Sequence, residues 1–470
     1  MKKLLVVLLS LGLIVAFSAT ASAADAKFGG SYYVVGVYES NPMLTPSETA
    51  GYNNYSHAFF YQRVRLQPVF AIAEGLTFTV RLDALEKQWG NTNWKAGATA
   101  QTYDDLTSSR RNEYTTVAGR GQKIQESLEF ERAYVTFLTG IGQFQIGYQN
   151  VDDWGTDFGD YSNSRPRFAY ATQLGPVTLA AVYEKVYEQD TARPFPDTGT
   201  MTNRVDTDND TYSVSATYNA KDMEAGLLYK YYALNSNRAL GIKTIRNLIT
   251  PYVKATFGPV YVEGEAQYWF GKTAQYELPA AVGTPDIDLE AYGAYLKAKM
   301  NVGPAYFGAL FAYVSGNDLS DTAKDTANPG GGGPNFAPAL ILMNDALNTW
   351  TNTGSTAASP TGVTSSKLNV VVYNAFAGFN PTPKLNIEAA VTYATVAEKA
   401  LSRTGAVITN AVSDKLGTEF DVKATYKIYD NLTYMIGAGY LWTGDYFKGS
   451  NVNALVDNSY ILLNQLTLSF

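Results

Sequence analysis

Six arginines and four aspartates are the side chains with the most chemistry to offer. Arg63 and Arg65 lie two apart in RVRLQPVF, Arg81 in LTFTVRLDA, Arg132 in ERAYVTF, and Arg165 and Arg167 in SRPRFAY. Between the last two groups runs VDDWGTDFGDY, which supplies Asp152, Asp153, Asp157 and Asp160, with Trp154, Phe158 and Tyr161 available as aromatic pins. Fixed guanidinium groups opposite fixed carboxylates break no bonds. Across a narrow, wet gap they set up a transverse field, which orders water and favours small polar solutes over apolar ones. The plainer alternative is that inward charges simply pair and brace one another, as in any water-filled barrel.

Little else in the chain could carry a reaction. There is one histidine, His57, which leaves no credible acid–base partner set, so no catalytic residue is assigned. With no cysteine, a disulfide scaffold, a thiolate metal site and an attached c-type haem are excluded within this chain. Asp206, Asp208 and Asp210 in DTDND copy the first ligands of a calcium loop, but Thr211 stands where Gly is needed and Thr217 where the bidentate Glu is needed. A solvated outer loop is the default there, and no metal or cofactor is expected.

The elements that must position the charges are strands. In LTFTVRLDA, Leu76, Phe78, Val80, Leu82 and Ala84 share one parity, and Thr77, Thr79, Arg81 and Asp83 the other. A one-residue slip would turn Arg81 towards lipid at about 2–4 kcal/mol near the bilayer midplane, so the register is firm. The segment 417–428 repeats the logic, with Phe420, Val422, Ala424, Tyr426 and Ile428 outward and Glu419, Asp421, Lys423, Thr425 and Lys427 inward. The same parity aims Arg63, Arg65, Arg132, Arg165 and Arg167 at the lumen.

Lys2 and Lys3, the apolar run Leu4 to Phe17 and Ala21-Ser22-Ala23 read as a cleaved signal peptide over residues 1–23. Without those two lysines the formal charge goes from -7 to -9, too acidic for nucleic acid as a natural partner. No later stretch approaches the roughly 20 apolar residues of a spanning helix. A secreted chain with 35 Tyr, 40 Gly and alternating segments fits one solution: a barrel closed so that every backbone group in lipid is paired.

Residues 24–470 therefore read as one domain, an all-β transmembrane antiparallel up-and-down barrel of 18 strands, with 16 as the alternative. The strands fall near 27–38, 57–72, 76–87, 126–138, 143–149, 165–174, 177–188, 211–219, 223–233, 247–257, 260–272, 290–302, 305–315, 367–380, 384–397, 417–428, 432–443 and 460–470. Short turns such as Gly175-Pro176, Gly258-Pro259 and Gly303-Pro304 alternate with long connections, as periplasmic turns and extracellular loops would. Counting makes 150–164 the third outer loop, expected to fold inward as a constriction. The longest connection, 316–366, holds an apolar piece, Ala339 to Leu347, with room for one or two helical turns. Tyr229, Tyr231, Tyr268, Trp269, Tyr440 and Trp442 suit interfacial girdles, while Tyr261 and Trp269 at inward parity suit a solute track.

RVRLQPVF with LTFTVRLDA, ERAYVTF with QFQIGYQ and WGTDFGD, and GAGYLWTGDYF look like the Gram-negative outer-membrane porins of delta-proteobacteria, including metal-reducing species. The resemblance spans nearly the whole mature chain. It implies a passive outer-membrane diffusion channel for ions and small hydrophilic solutes, surrounded by outer-membrane lipid, and admits a homotrimer. The final strand, YILLNQLTLSF, resembles the terminal strand that barrel-assembly machinery reads through an aromatic end, here Phe470. Two other readings stand beside it: a substrate-selective outer-membrane channel, and a structural barrel sheath for a cytochrome electron-transfer conduit, which would need a haem-bearing partner.

Overall fold

The computed structural model describes residues 25–44, 56–89, 128–160, 162–188, 193–195, 203–277, 284–344 and 367–470. The expected leader, Tyr161 and much of the second, fourth and seventh outer loops lie outside the described residues.

Eighteen antiparallel strands form one closed sheet: β1 Asp25–Ser40, β2 Ser56–Ala73, β3 Leu76–Gln88, β4 Leu128–Thr139, β5 Gly142–Val151, β6 Asn163–Leu174, β7 Val177–Tyr187, β8 Asn209–Ala220, β9 Met223–Leu234, β10 Ile242–Phe257, β11 Val260–Tyr276, β12 Ile287–Val302, β13 Ala305–Val314, β14 Val370–Thr382, β15 Leu385–Thr395, β16 Lys415–Tyr429, β17 Leu432–Thr443 and β18 Ser459–Ser469. Each pairs with its neighbours in sequence. The last pairs back on the first, from Ser31 opposite Ser469 to Ser40 opposite Tyr460, so no edge is left unpaired. The expectation of 18 strands holds, and 16 is excluded.

Every strand carries at least 10 residues, about what a tilted strand needs to cross a bilayer. The outward face is apolar right around the ring. Phe28, Phe130, Phe168, Val214, Leu227, Leu296, Phe307, Ile436 and Leu462 are all more than 50% exposed. A contiguous apolar surface of that extent requires lipid rather than water. Phe420, Val422, Tyr426 and Ile428 belong to it, while Glu419 and Asp421 on the other parity are buried inside.

The strands turn back through short hairpins on one side. In three of them a Gly-Pro pair forms the connection, with Gly175, Gly258 and Gly303 at φ 60°, 60° and 58°. Nothing lies within 4 Å of where a Cβ would stand at these glycines, so backbone conformation alone demands the residue. The other end carries the long loops. Two of these pack against the inner wall and add Phe158, Phe336, Ala339, Ile341, Leu342 and Met343 to the buried apolar core.

Candidate functional site

The third outer loop, 152–162, enters the lumen by a regular device. Val151 ends β5 fully buried, and Asp152 turns the chain at φ 59°. From there alternate residues meet successive strands. Asp152 takes Lys230 on β9 at 2.6 Å, and Trp154 donates its indole N–H to the Thr250 carbonyl on β10 at 3.1 Å. Thr156 donates both its N–H and its hydroxyl to Glu265 Oε2 on β11, at 2.8 and 2.9 Å. Phe158 stacks on Tyr295 of β12 with ring centroids 5.4 Å apart and planes 4° apart. Two residues of extended chain reach at most about 7 Å and strands lie about 4.8 Å apart, so a two-residue step per strand fits with little slack. The result is a polarised ribbon: Thr156 and Phe158 are buried against the wall, and Asp153 and Asp157 are exposed to the lumen. A Cβ on Gly155 or Gly159 would stand 2.4 or 2.0 Å from the Glu265 carboxylate, so a side chain at either would displace the group that holds Thr156.

The seventh outer loop, 315–369, comes in over it. Gly333 donates its N–H to the Phe158 carbonyl at 2.8 Å. Asn335 donates to Asp160 Oδ2 at 2.6 Å. Phe336 closes edge-on over Phe158, at 5.4 Å and 85°. Further on, Ile341 and Leu342 donate their backbone N–H groups to the two oxygens of Glu419, at 2.7 and 2.8 Å, and Leu340 donates to Asp421 at 3.3 Å. Ile341, Leu342 and Met343 are at most 1% exposed, in a cluster with Val35, Val37, Leu441 and Ile461.

The expected helical turns are absent from 339–344, and 345–347 lie outside the described residues. The reason is physical. These N–H groups bond to wall carboxylates instead of to carbonyls one turn back. Trp269 is no girdle residue and lines no open track either: it is 6% exposed, packed on Tyr232 at 5.4 Å and roofed by Gly330. Tyr440 and Trp442 do face outward, their rings tilted against each other with centroids 4.8 Å apart.

The two loops together run along the wall from β9 to β18 and on to β1. All six arginines stand on β2, β3, β4 and β6, away from the stretch of wall from β9 to β12 on which the third-loop ribbon lies, although Asp152 at the start of the ribbon reaches Arg165 on β6. Three of them meet carboxylates. Arg65 grips Asp83 with two bonds of 2.7 and 2.5 Å. Arg63 lies 3.8 and 3.9 Å from Asp83 and Glu86, over the Tyr33 ring. Arg165 bonds Asp152 at 3.0 Å. The other three bond amides: Arg81 to Gln67 at 2.8 Å, Arg132 to Asn150 at 2.7 Å and Arg167 to Gln149 at 3.0 Å. None of these three has a carboxylate within salt-bridge range among the described residues.

The loop acids divide in the same way. Asp152 is consumed by Lys230 and Arg165. Burial alone would push its carboxyl up, but those two cations hold it below the usual carboxylate range. Asp153 accepts from Asn150 at 2.8 Å, and Asp160 from Ser162 and Asn335. Asp157 stands exposed, its carboxyl pushed up by partial desolvation and by the neighbouring Glu263. No base lies within salt-bridge range of Asp153, Asp157 or Asp160 among the described residues.

Sequence reading did not pick out Lys230, Glu184 or Glu265 as part of the arrangement. Lys230 is 4% exposed and bonds Glu184 at 2.7 Å as well as Asp152, so it is the base that seats the loop. Its signal was present: in YKYYAL it shares inward parity with Tyr232. His57 pairs with buried Glu39 at 3.0 Å. The DTDND stretch is filled by an ammonium group: Lys185 lies 2.7 Å from Asp208 and 3.3 Å from Asp210.

No family model and no curated protein matches the chain. Solved structures do. OccK8 (OprE) of Pseudomonas aeruginosa aligns over 95% of this chain and 98% of its own, at 11% identity and a TM-score of 0.50. The OpdK–vanillate structure from the same species covers 95% and 99% at 11% identity and 0.46, and an anion-selective porin from Comamonas acidovorans covers 95% and 100% at 10% identity and 0.43. At such identities the likeness speaks for the fold, a porin-type barrel.

Proposed function

We propose that this protein is a passive outer-membrane channel for ions and small hydrophilic solutes, with its narrowest point between the third-loop ribbon and the arginine wall. The motifs quoted above resemble those of delta-proteobacterial porins, and that resemblance is the ground for the finer family reading. The observation that carries the reading is the division of charge. Among the described residues, Arg81, Arg132 and Arg167 have no carboxylate within salt-bridge range on one side, and Asp153, Asp157 and Asp160 no base on the other. Bracing charges would have paired off, as Asp152, Arg165 and Lys230 do.

Charges left apart across water polarise whatever passes between them. An apolar solute gains nothing there and must displace ordered water, whereas an ion or a sugar exchanges one set of polar partners for another. The aromatic interlock of Phe158, Tyr295 and Phe336 keeps the ribbon from collapsing onto the arginines. Liposome swelling with neutral sugars of graded size tests the reading. Influx that falls smoothly with size supports it; liposomes that stay impermeable to the smallest sugar and carry no ionic current would refute it.

A further inference from the structure

At the foot of the arginine wall is a recess of about 440 Å³ lined by Lys27, Gly29, Ser31, Arg65, Gln67 and Arg81, among others. Its origin is legible in the register. Gly29 lies opposite Gln67, Ser31 opposite Arg65 and Lys27 opposite Val69, all at the parity that carries Tyr33 to the lumenal Arg63. Gly29 has no side chain and Ser31 a small one. The inner face of β1 is therefore hollow just where its neighbours carry long cations. The hollow sits at the turn end of β2 and β3, beyond the loop ribbon from the outer surface.

We infer that this recess is an anion-binding site for small doubly charged oxyanions, a short dicarboxylate or a phosphate. Arg65 is engaged by Asp83, but Lys27 and Arg81 have no carboxylate within salt-bridge range among the described residues. The other acid near Arg81, Glu131, accepts the Ser164 hydroxyl at 3.3 Å. Two cations with no carboxylate in direct contact among the described residues match two negative charges. Arg81 uses its Nε–H on Gln67, and among the described residues its terminal N–H groups meet no acceptor, while the Ser31 hydroxyl and the Gln67 amide add neutral donors. Such an array binds oxygen anions through charge-assisted hydrogen bonds, and a single charge would satisfy only half of it. The recess lies below the constriction, so an anion drawn in by the wall would pause there before release. The inference rests on the channel reading only in that solute must reach the recess through the lumen.

Single-channel current through the full barrel tests it. Currents are recorded in dilute KCl at fixed ionic strength and pH 8, titrated separately with succinate, inorganic phosphate, acetate and glucose. Saturable block by succinate, phosphate or both, with acetate at least about tenfold weaker and glucose inert, supports the site and names its geometry. Lys27→Ala should raise the half-blocking concentration about tenfold, the scale of one hydrogen bond to a charged group. Gly29→Leu adds no charge and should abolish block by filling the hollow. Its backbone accepts a side chain, since the nearest atom to a Cβ there is the Phe470 carbonyl oxygen at 3.6 Å. Acetate blocking as well as the dianions, or a half-blocking concentration that neither variant moves, would overturn the proposal. Pores without block sink the recess alone, whereas no pores at all sink the channel reading.

Discussion

Phe158→Ala probes the interlock that holds the tip of the third loop, the proposed constriction, in place. Phe158 is 0% exposed, sandwiched between Tyr295 of the wall and Phe336 of the seventh loop, and its carbonyl holds Gly333. Truncating a buried phenylalanine costs about 3–5 kcal/mol. Here the loss falls on loop docking rather than on the barrel, because no strand-to-strand bond involves residue 158. The Thr156 bonds to Glu265 survive, so the ribbon should stay tethered at 156 while its tip, 157–160, and the loop segment above it come loose. The expected result is a larger and noisier single-channel current, with the heat-modifiable folded band on gels kept to within a few degrees of wild type. A folded variant with wild-type current and noise would show that the tip does not bound the pore.

Other perturbations follow from the same geometry. Glu419→Ala leaves the N–H groups of Ile341 and Leu342 without acceptors, at roughly 1–3 kcal/mol each, so protease should cut the seventh loop in folded barrels far faster than in wild type. Lowering the pH from 7 to 4 should shift the reversal potential towards anions, since loop carboxylates lose charge. Asp157 should titrate before Asp152, its carboxyl being raised where that of Asp152 is lowered, and Asp157→Asn should remove the early part of the shift. Gly258→Ala, at φ 60°, should cost about 1 kcal/mol of barrel stability and leave conductance alone.

The barrel was legible in the sequence because lipid enforces parity without exception. Arg81 and Asp83 on one side of a strand and Phe78 and Leu82 on the other admit a single register, and eighteen such strands close a ring. Loop order followed by counting, which put Asp152 to Asp160 in the third outer position. The grip of the loops was not legible, because it is made largely by backbone N–H groups that every residue possesses. Glu419 and Asp421 read as ordinary inward charges. Only the folded chain brings Leu340, Ile341 and Leu342 onto them. For the same reason Ala339 to Leu347 looked helical, its apolar spacing serving a wall rather than a helix face. Asp152 and Arg165 could not be sorted from Asp157 and Arg81 by parity, since pairing depends on reach across strands.

Reversal potential across a planar bilayer under a KCl gradient addresses the central claim, that wall arginines without a carboxylate partner among the described residues set the pore field. With Arg81→Ala/Arg132→Ala the potential should move clearly towards cation preference. With Arg165→Ala, whose partner Asp152 keeps Lys230, it should move much less. Equal potentials for wild type and the double variant would contradict the account and leave those arginines as bracing.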